Sequence, residues 1–161
     1  MKIQNFLNKL KEENKLELVE SSVEICNSYL EKANDCLKSA KLLLQNKLYE
    51  NSISMSYYTM YDSLTALLFK TGIKCENHSG SILLLKKIFD RTDLFKIISF
   101  AKKERIDKQY YITSKDNLKL TKESTEDMFK KAEEFSIQIK LLINNLNINN
   151  IENIRKKFRS L

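Results

Sequence analysis

The segment Lys102-Lys103-Glu104-Arg105-Ile106-Asp107-Lys108-Gln109-Tyr110-Tyr111 packs three lysines, one arginine, two acids, a glutamine and two tyrosines into ten residues. An arginine flanked by lysines suits a phosphate oxyanion, because the guanidinium donates two parallel hydrogen bonds and stays charged. Neighbouring tyrosines can stack on a base or donate a phenolic proton. Lys102, Lys103, Arg105, Lys108, Gln109 and Tyr111 are therefore candidate ligand- and phosphate-binding residues. On a helix, Arg105 shares a face with Gln109, Lys103 with Asp107, and Asp107 with Tyr111. Arg105 and Tyr110 are five apart, so they share a site only where the helix loosens or a second subunit completes it. The plainer alternative is an ion-pair network at a helix end, with tyrosines packed along its edge.

Other candidates carry less chemistry. Cys75-x-x-His78 has zinc-like spacing, but zinc needs about four ligands and no second Cys or His pair supplies them. No metal or other cofactor is expected. His78, the one histidine, stands just before a helix start as a cap, a loop hydrogen-bond partner or a ligand contact. No serine lies near a suitable base and acid, and two glycines cannot build a phosphate-cradling loop. The cluster Tyr57-Tyr58-x-x-Tyr61 reads as core and interface packing. The basic run Arg155-Lys156-Lys157-Phe158-Arg159 is either a nucleic-acid contact or a solvated, frayed helix.

The elements that must position these groups are helices. No proline and two glycines in 161 residues leave little to break a helix, which predicts an all-α chain. A chain of this length is one domain, 1–161, and buries about 70% of its unfolded surface without staples. The net charge of +7 favours anionic partners, or else a plain lysine-rich surface. Three cysteines inside helical patterns argue for a reducing compartment. No apolar run approaches the roughly 18 residues that span a bilayer, and no signal-peptide core is visible. A cytoplasmic protein without membrane contact is expected.

Apolar spacing predicts a short helix over 3–20, then a long one with Cys26, Tyr29, Leu30, Ala33, Leu37, Ala40, Leu43 and Leu44 on its stripe. After a break at 46–51, a third helix places Ile53, Tyr57, Met60, Leu64, Leu67 and Leu68 on one stripe. Tyr58, Tyr61 and Thr65 lie on the next. Such a helix is central in a bundle, or it buries a second face against another subunit. Gly72 is a left-handed cap for it, and 74–80 is a loop before a short helix. Asp93 is expected to cap the next helix. Residues 112–121 form a polar connection, Ser124 with Asp127 forms a capping box, and 147–161 is a basic tail.

The order Leu48-Tyr49-Glu50-Asn51-Ser52-Ile53, Ser56-Tyr57-Tyr58-Thr59-Met60-Tyr61, Lys74-Cys75-Glu76-Asn77-His78-Ser79, then Glu104 to Tyr111 resembles the HEPN-domain superfamily. The likeness is to its small stand-alone prokaryotic branch, most like archaeal members, over about 22–146. That branch shows G-x-Y-x-x-A-v-x-x-x-Y-Y-a-M-f, then K-x-H-s-g, then R-x-x-x-D-Y. The resemblance implies an up-and-down bundle of four to five main helices with short flanking helices, as a homodimer with Tyr57, Tyr58 and Tyr61 near the interface.

It also implies one of several activities. Many relatives are metal-independent ribonucleases with an Arg-x4–6-His motif at the dimer interface. Others pair with a minimal nucleotidyltransferase as a toxin–antitoxin module, or bind nucleotide without cutting. Arg105 fills the arginine slot, and Tyr110 stands in the histidine slot. Arg105 and Tyr110 would be the catalytic pair of a ribonuclease, with Tyr110 or His78 handling protons. A phenol with an ordinary pKa of about 10 is a poor base at neutral pH. Met55 replaces the arginine that often precedes the tyrosine pair, while His78 matches the K-x-H histidine. The expectation is a nucleotide- or RNA-binding protein paired with a nucleotidyltransferase. The alternatives are an endoribonuclease and a helical protein-binding adaptor.

Overall fold

A computed structural model describes residues 2–110 and 120–161 and, for 107–110, the helical backbone alone. The elements are α1 (Lys2–Glu12), β1 (Leu16–Leu18), α2 (Val23–Gln45), α3 (Tyr49–Lys70), β2 (Ile73–Cys75), α4 (His78–Lys87), α5 (Thr92–Tyr110), α6 (Lys122–Asn145) and α7 (Ile148–Arg159). The all-α expectation holds. Four long helices run alternately up and down. The Ser22 amide donates to Phe69 O at one end of the α2–α3 pair, and Ser52 Oγ donates to Ala40 O at the other. Arg91 reaches Gln138 while Lys131 lies over the Phe100 ring, so α5 and α6 are antiparallel too.

Helix α3 is the centre. Tyr57, Met60, Leu64, Leu67 and Leu68 are buried, and so are Ser52, Ser56, Thr59 and Ser63 on its other sides. Small side chains let neighbouring helices approach closely. Their hydroxyls would be costly to bury unpaired, and three hydroxyls of α3 return a hydrogen bond to the preceding turn: Thr59 to Met55 O, Ser63 to Thr59 O, Thr65 to Tyr61 O. Cys26, Ala33 and Ala40 of α2 and Met128, Ala132, Phe135, Ile139 and Ile143 of α6 complete the core.

Several local expectations are corrected. The predicted 3–20 helix stops at Glu12. Asn14 turns the chain with φ 55°, and Leu16-Glu17-Leu18 alternates as a strand should. It pairs antiparallel with Ile73–Cys75, so part of the expected 74–80 loop is strand and part is helix. Asp93 lies inside the first turn of α5, gripped by Arg91 through two hydrogen bonds of 2.8 and 2.6 Å that hold its carboxyl down at about 2. The capping box of α6 is Thr121 with Ser124, one turn earlier than Ser124 with Asp127. Residues 112–119 of the expected polar connection lie outside the described residues.

The basic tail is a docked helix, not a frayed one. Asn147 and Asn150 form a reciprocal capping box at its start, and Phe158 is buried. Arg155 Nη1 donates to the carbonyls of Val19 at 2.8 Å and Gly72 at 3.1 Å, joining α7 to the turn after α3. Lys11 Nζ donates to Phe158 O at 3.1 Å, tying in α1. Gly72 is left-handed, as expected, with φ 71°. A β-carbon there would also overlap the Arg155 guanidinium and come within 2.6 Å of Val19 O. Gly72→Ala should therefore lower unfolding stability by about 2–4 kcal/mol, combining backbone strain with the displaced arginine. Urea unfolding checks this; an unchanged midpoint would contradict the Arg155 junction.

Candidate functional site

One turn of α3 carries Tyr57, Tyr58 and Tyr61, which between them meet His78 and Arg105. Tyr57 is 0% exposed, so its phenol must find a partner inside the protein. It finds His78, with the hydroxyl 2.7 Å from Nδ1. Burial, and next the neighbouring Tyr61, push the Tyr57 phenol well above its ordinary range and keep it protonated. Asn77, not His78, is the cap of α4: its side chain accepts from the Gly80 amide at 2.9 Å. That cap makes His78 the first helical residue and turns its ring back onto α3. The imidazole stacks on Tyr61 with centroids 3.7 Å apart and planes 12° apart.

Helix α5 brings two cations to the same place. Arg105 Nη1 donates to the Tyr58 hydroxyl at 2.6 Å, and its guanidinium carbon lies 5.1 and 5.2 Å from the Tyr57 and Tyr58 ring centres. Such contacts hold a cation without neutralising it. Lys102, three residues earlier and so on the same face, donates to Ser79 Oγ at 2.5 Å. Among the described residues neither Lys102 nor Arg105 has a carboxylate partner, and Arg105 Nε is buried with no hydrogen-bond partner. Burial and then Arg105 draw the Lys102 ammonium below its usual pKa. Burial, then Arg105, then Lys102 do the same to the His78 imidazole. A helix N-terminus beneath a histidine acts in the same direction. The cluster therefore has positive charge to spare and a neutral imidazole beside it. Chemically it suits an anion with several acceptor oxygens.

Of the residues singled out from sequence, Arg105, Lys102 and His78 meet. Lys103 is exposed. The side chains of Lys108, Gln109 and Tyr110, and all of Tyr111, lie outside the described residues. Tyr57 has no surface to offer a second subunit, because α4 and α5 cover that side of α3; Tyr58 and Tyr61 are half-buried. Cys75 and His78 do not converge on a metal: the thiol turns to Asn77 O while the imidazole turns to the tyrosines. Ser79 was missed. Its signal was available in Asn77-His78-Ser79-Gly80, a cap followed by a first helical turn. Asp62 was missed as well. Its buried carboxyl is raised in pKa by burial, against the pull of Lys32 3.4 Å away, and it borders a cleft of about 300 Å³ shared with Tyr61, Tyr29 and Phe69.

The depressed His78 pKa has a consequence for stability. The unfolded chain takes up this proton near its ordinary pKa of about 6.5, and the folded chain only at lower pH. The contribution is thus complete above about pH 6.5 and is lost as pH falls through the folded value. Asp62, with its raised pKa, acts in the opposite direction, so a comparison of proteins isolates the histidine. The stability difference between wild type and His78→Gln should shrink steadily below about pH 6.5 in urea titrations. A difference constant with pH would contradict it.

The HEPN domain family pattern matches residues 26–142. A UPF0332 protein of Thermotoga maritima is 27% identical over 128 residues, 76% of this chain and 94% of that protein. A candidate toxin of Methanocaldococcus jannaschii is 29% identical over 133 residues, covering 80% of this chain and 88% of its own length. A UPF0332 protein of Pyrococcus horikoshii is 34% identical over 85 residues, 53% and 54% of the two chains. With the family pattern spanning most of α2 through α6 and the bundle it implies in place, the chain belongs to the HEPN domain family.

Proposed function

We propose that this is a toxin-like HEPN protein whose Lys102–Arg105–His78 cluster binds the phosphate of an RNA or nucleotide. The observation that carries this reading is the pair of partly buried cations that, among the described residues, lack any carboxylate partner. Burying a charge is costly unless something pairs with it, and an arginine resting on two tyrosine faces is held ready for an anion. Tyr58 and Tyr61 are half-buried beside it and offer ring surface to a base. The name of the Methanocaldococcus jannaschii relative, a candidate toxin, supports the toxin-like part of this reading. A minimal nucleotidyltransferase is the proposed partner, and a homodimer the proposed assembly.

A second reading has one observation in its favour. The imidazole of His78 lies in the same cluster as Arg105, so a ribonuclease lacking the motif histidine would still have an imidazole. Arg105 would then stabilise the charge developing on the phosphate. RNA cleavage in metal-chelated buffer, lost in Arg105→Ala, supports it, and intact RNA after long incubation with wild type removes it.

For the binding reading, Arg105→Ala should weaken binding of a short single-stranded RNA at least about tenfold. It should also lower the slope of log affinity against log salt by about 0.7. Fluorescence anisotropy across a salt series measures both. Equal affinity and slope in the two proteins would place RNA binding elsewhere.

A further inference from the structure

We propose that Tyr57 is a positioning residue that locks His78 as its Nε2–H tautomer, so that the neutral imidazole donates a hydrogen bond to the phosphate held by Arg105 and Lys102. The inference rests on the phosphate-binding reading above and assigns His78 a specific job within it.

The argument is one of donors and acceptors. Tyr57 is wholly buried, and among the described residues its hydroxyl has one hydrogen-bond partner, His78 Nδ1 at 2.7 Å. Two arrangements fit that distance. If Nδ1–H donated to the phenol oxygen, the phenol's own proton would be buried with nothing to accept it, at the full desolvation penalty. If the phenol donates to a bare Nδ1, both groups are satisfied. The phenol's protonation is secure, since burial raises its pKa. The remaining imidazole proton must then sit on Nε2.

Among the described residues, every group around the ring is neutral or disfavours protonating both nitrogens. Arg105 and Lys102 of α5 repel an imidazolium. Helix α3 contributes the phenols of Tyr57 and Tyr61, neither ionised at neutral pH, and β2 contributes the Cys75 thiol near Tyr61. Helix α1 supplies Leu10 against Gly80, which carries no charge. The stack on Tyr61 closes one face of the ring and the phenol closes its Nδ1 edge. Among the described residues nothing bonds the edge bearing Nε2, which is left to a ligand. A neutral donor held this way also pairs with phosphate at any pH above its own lowered pKa, so His78 strengthens binding without titrating near neutrality.

Because the chain contains one histidine, its imidazole nitrogens give an unambiguous signal. Nitrogen-15 NMR of the wild type at neutral pH should show Nδ1 unprotonated and Nε2 protonated. Tyr57→Phe, which removes the hydroxyl and keeps the ring, should give a tautomer mixture. An Nδ1–H form, or a mixture already present in wild type, would overturn the lock. For the donor role, a fluorescent short single-stranded RNA is titrated against His78→Gln and His78→Asn. The glutamine amide reaches the Nε2 position and the asparagine amide does not, so Gln should bind about tenfold more tightly than Asn. Wild-type affinity should stay level from about pH 6.5 to about pH 8. Equal affinities for the two variants, or wild-type binding that collapses as pH rises over that range, would overturn the donor role. Absence of RNA binding by wild type with the tautomer intact would remove the phosphate reading and the donor role together, leaving the lock standing.

Discussion

The buried phenol of Tyr57 sets the terms for everything around it. Helix α3 is enclosed by α2, α4, α5 and α6, and a tyrosine at its centre cannot keep its hydroxyl in water. The loss is avoided only because Asn77 starts α4 at a point that swings His78 onto that hydroxyl. The His78 ring, once placed, covers Tyr61. The Tyr57 ring, with that of Tyr58, gives Arg105 a surface to rest on. One hydrogen bond in the core thus fixes the arrangement of a half-buried cluster of charges.

That cluster is unusual electrostatically more than sterically. Several cations on this chain meet carboxylates, as Arg91 meets Asp93, Lys74 meets Glu17 and Glu76, Lys131 meets Asp127 and Lys157 meets Asp90, while Arg155 and Lys11 turn to main-chain carbonyls. Most of these ion pairs are exposed and add little to stability. Among the described residues, Arg105 and Lys102 meet neither a carboxylate nor a main-chain carbonyl. Tyrosine rings and hydroxyls hold these two cations in position, and the lack of a carboxylate among the described residues is what motivates the proposed anionic ligand. The distribution of acids, more than the net charge of +7, points to the site.

Much of the fold was legible in the sequence. The three-and-four spacing of Cys26 through Leu44 marks α2, and the crowded apolar and hydroxyl pattern of 52–68 marks a helix buried all round. Gly72 marks the end of α3 because a positive φ favours glycine. What misled was local ambiguity. Leu16-Glu17-Leu18 is too short for period to distinguish strand from helix, and its partner lies more than fifty residues away. Asp93 and Ser124 are good caps by type, but the caps that form depend on where the preceding turn ends. The tail reads as solvated because Arg155 spends its charge on main-chain carbonyls, which carry no sequence signature. At the site, Arg105 and His78 were each visible as candidates. Their meeting was not, since twenty-seven positions separate them and only the packing of α4 and α5 on α3 joins them.

The central claim is that Tyr58, His78, Ser79, Lys102 and Arg105 form one phosphate-binding surface. It is tested most directly by following backbone amides and the His78 imidazole by NMR while a short single-stranded RNA is added. The account predicts that the largest shifts gather at the first turn of α4 and at Lys102 to Arg105 on α5, with the imidazole moving at its Nε2 side. Shifts centred on the Arg155–Arg159 face of α7, with the α4–α5 cluster unmoved, would contradict it.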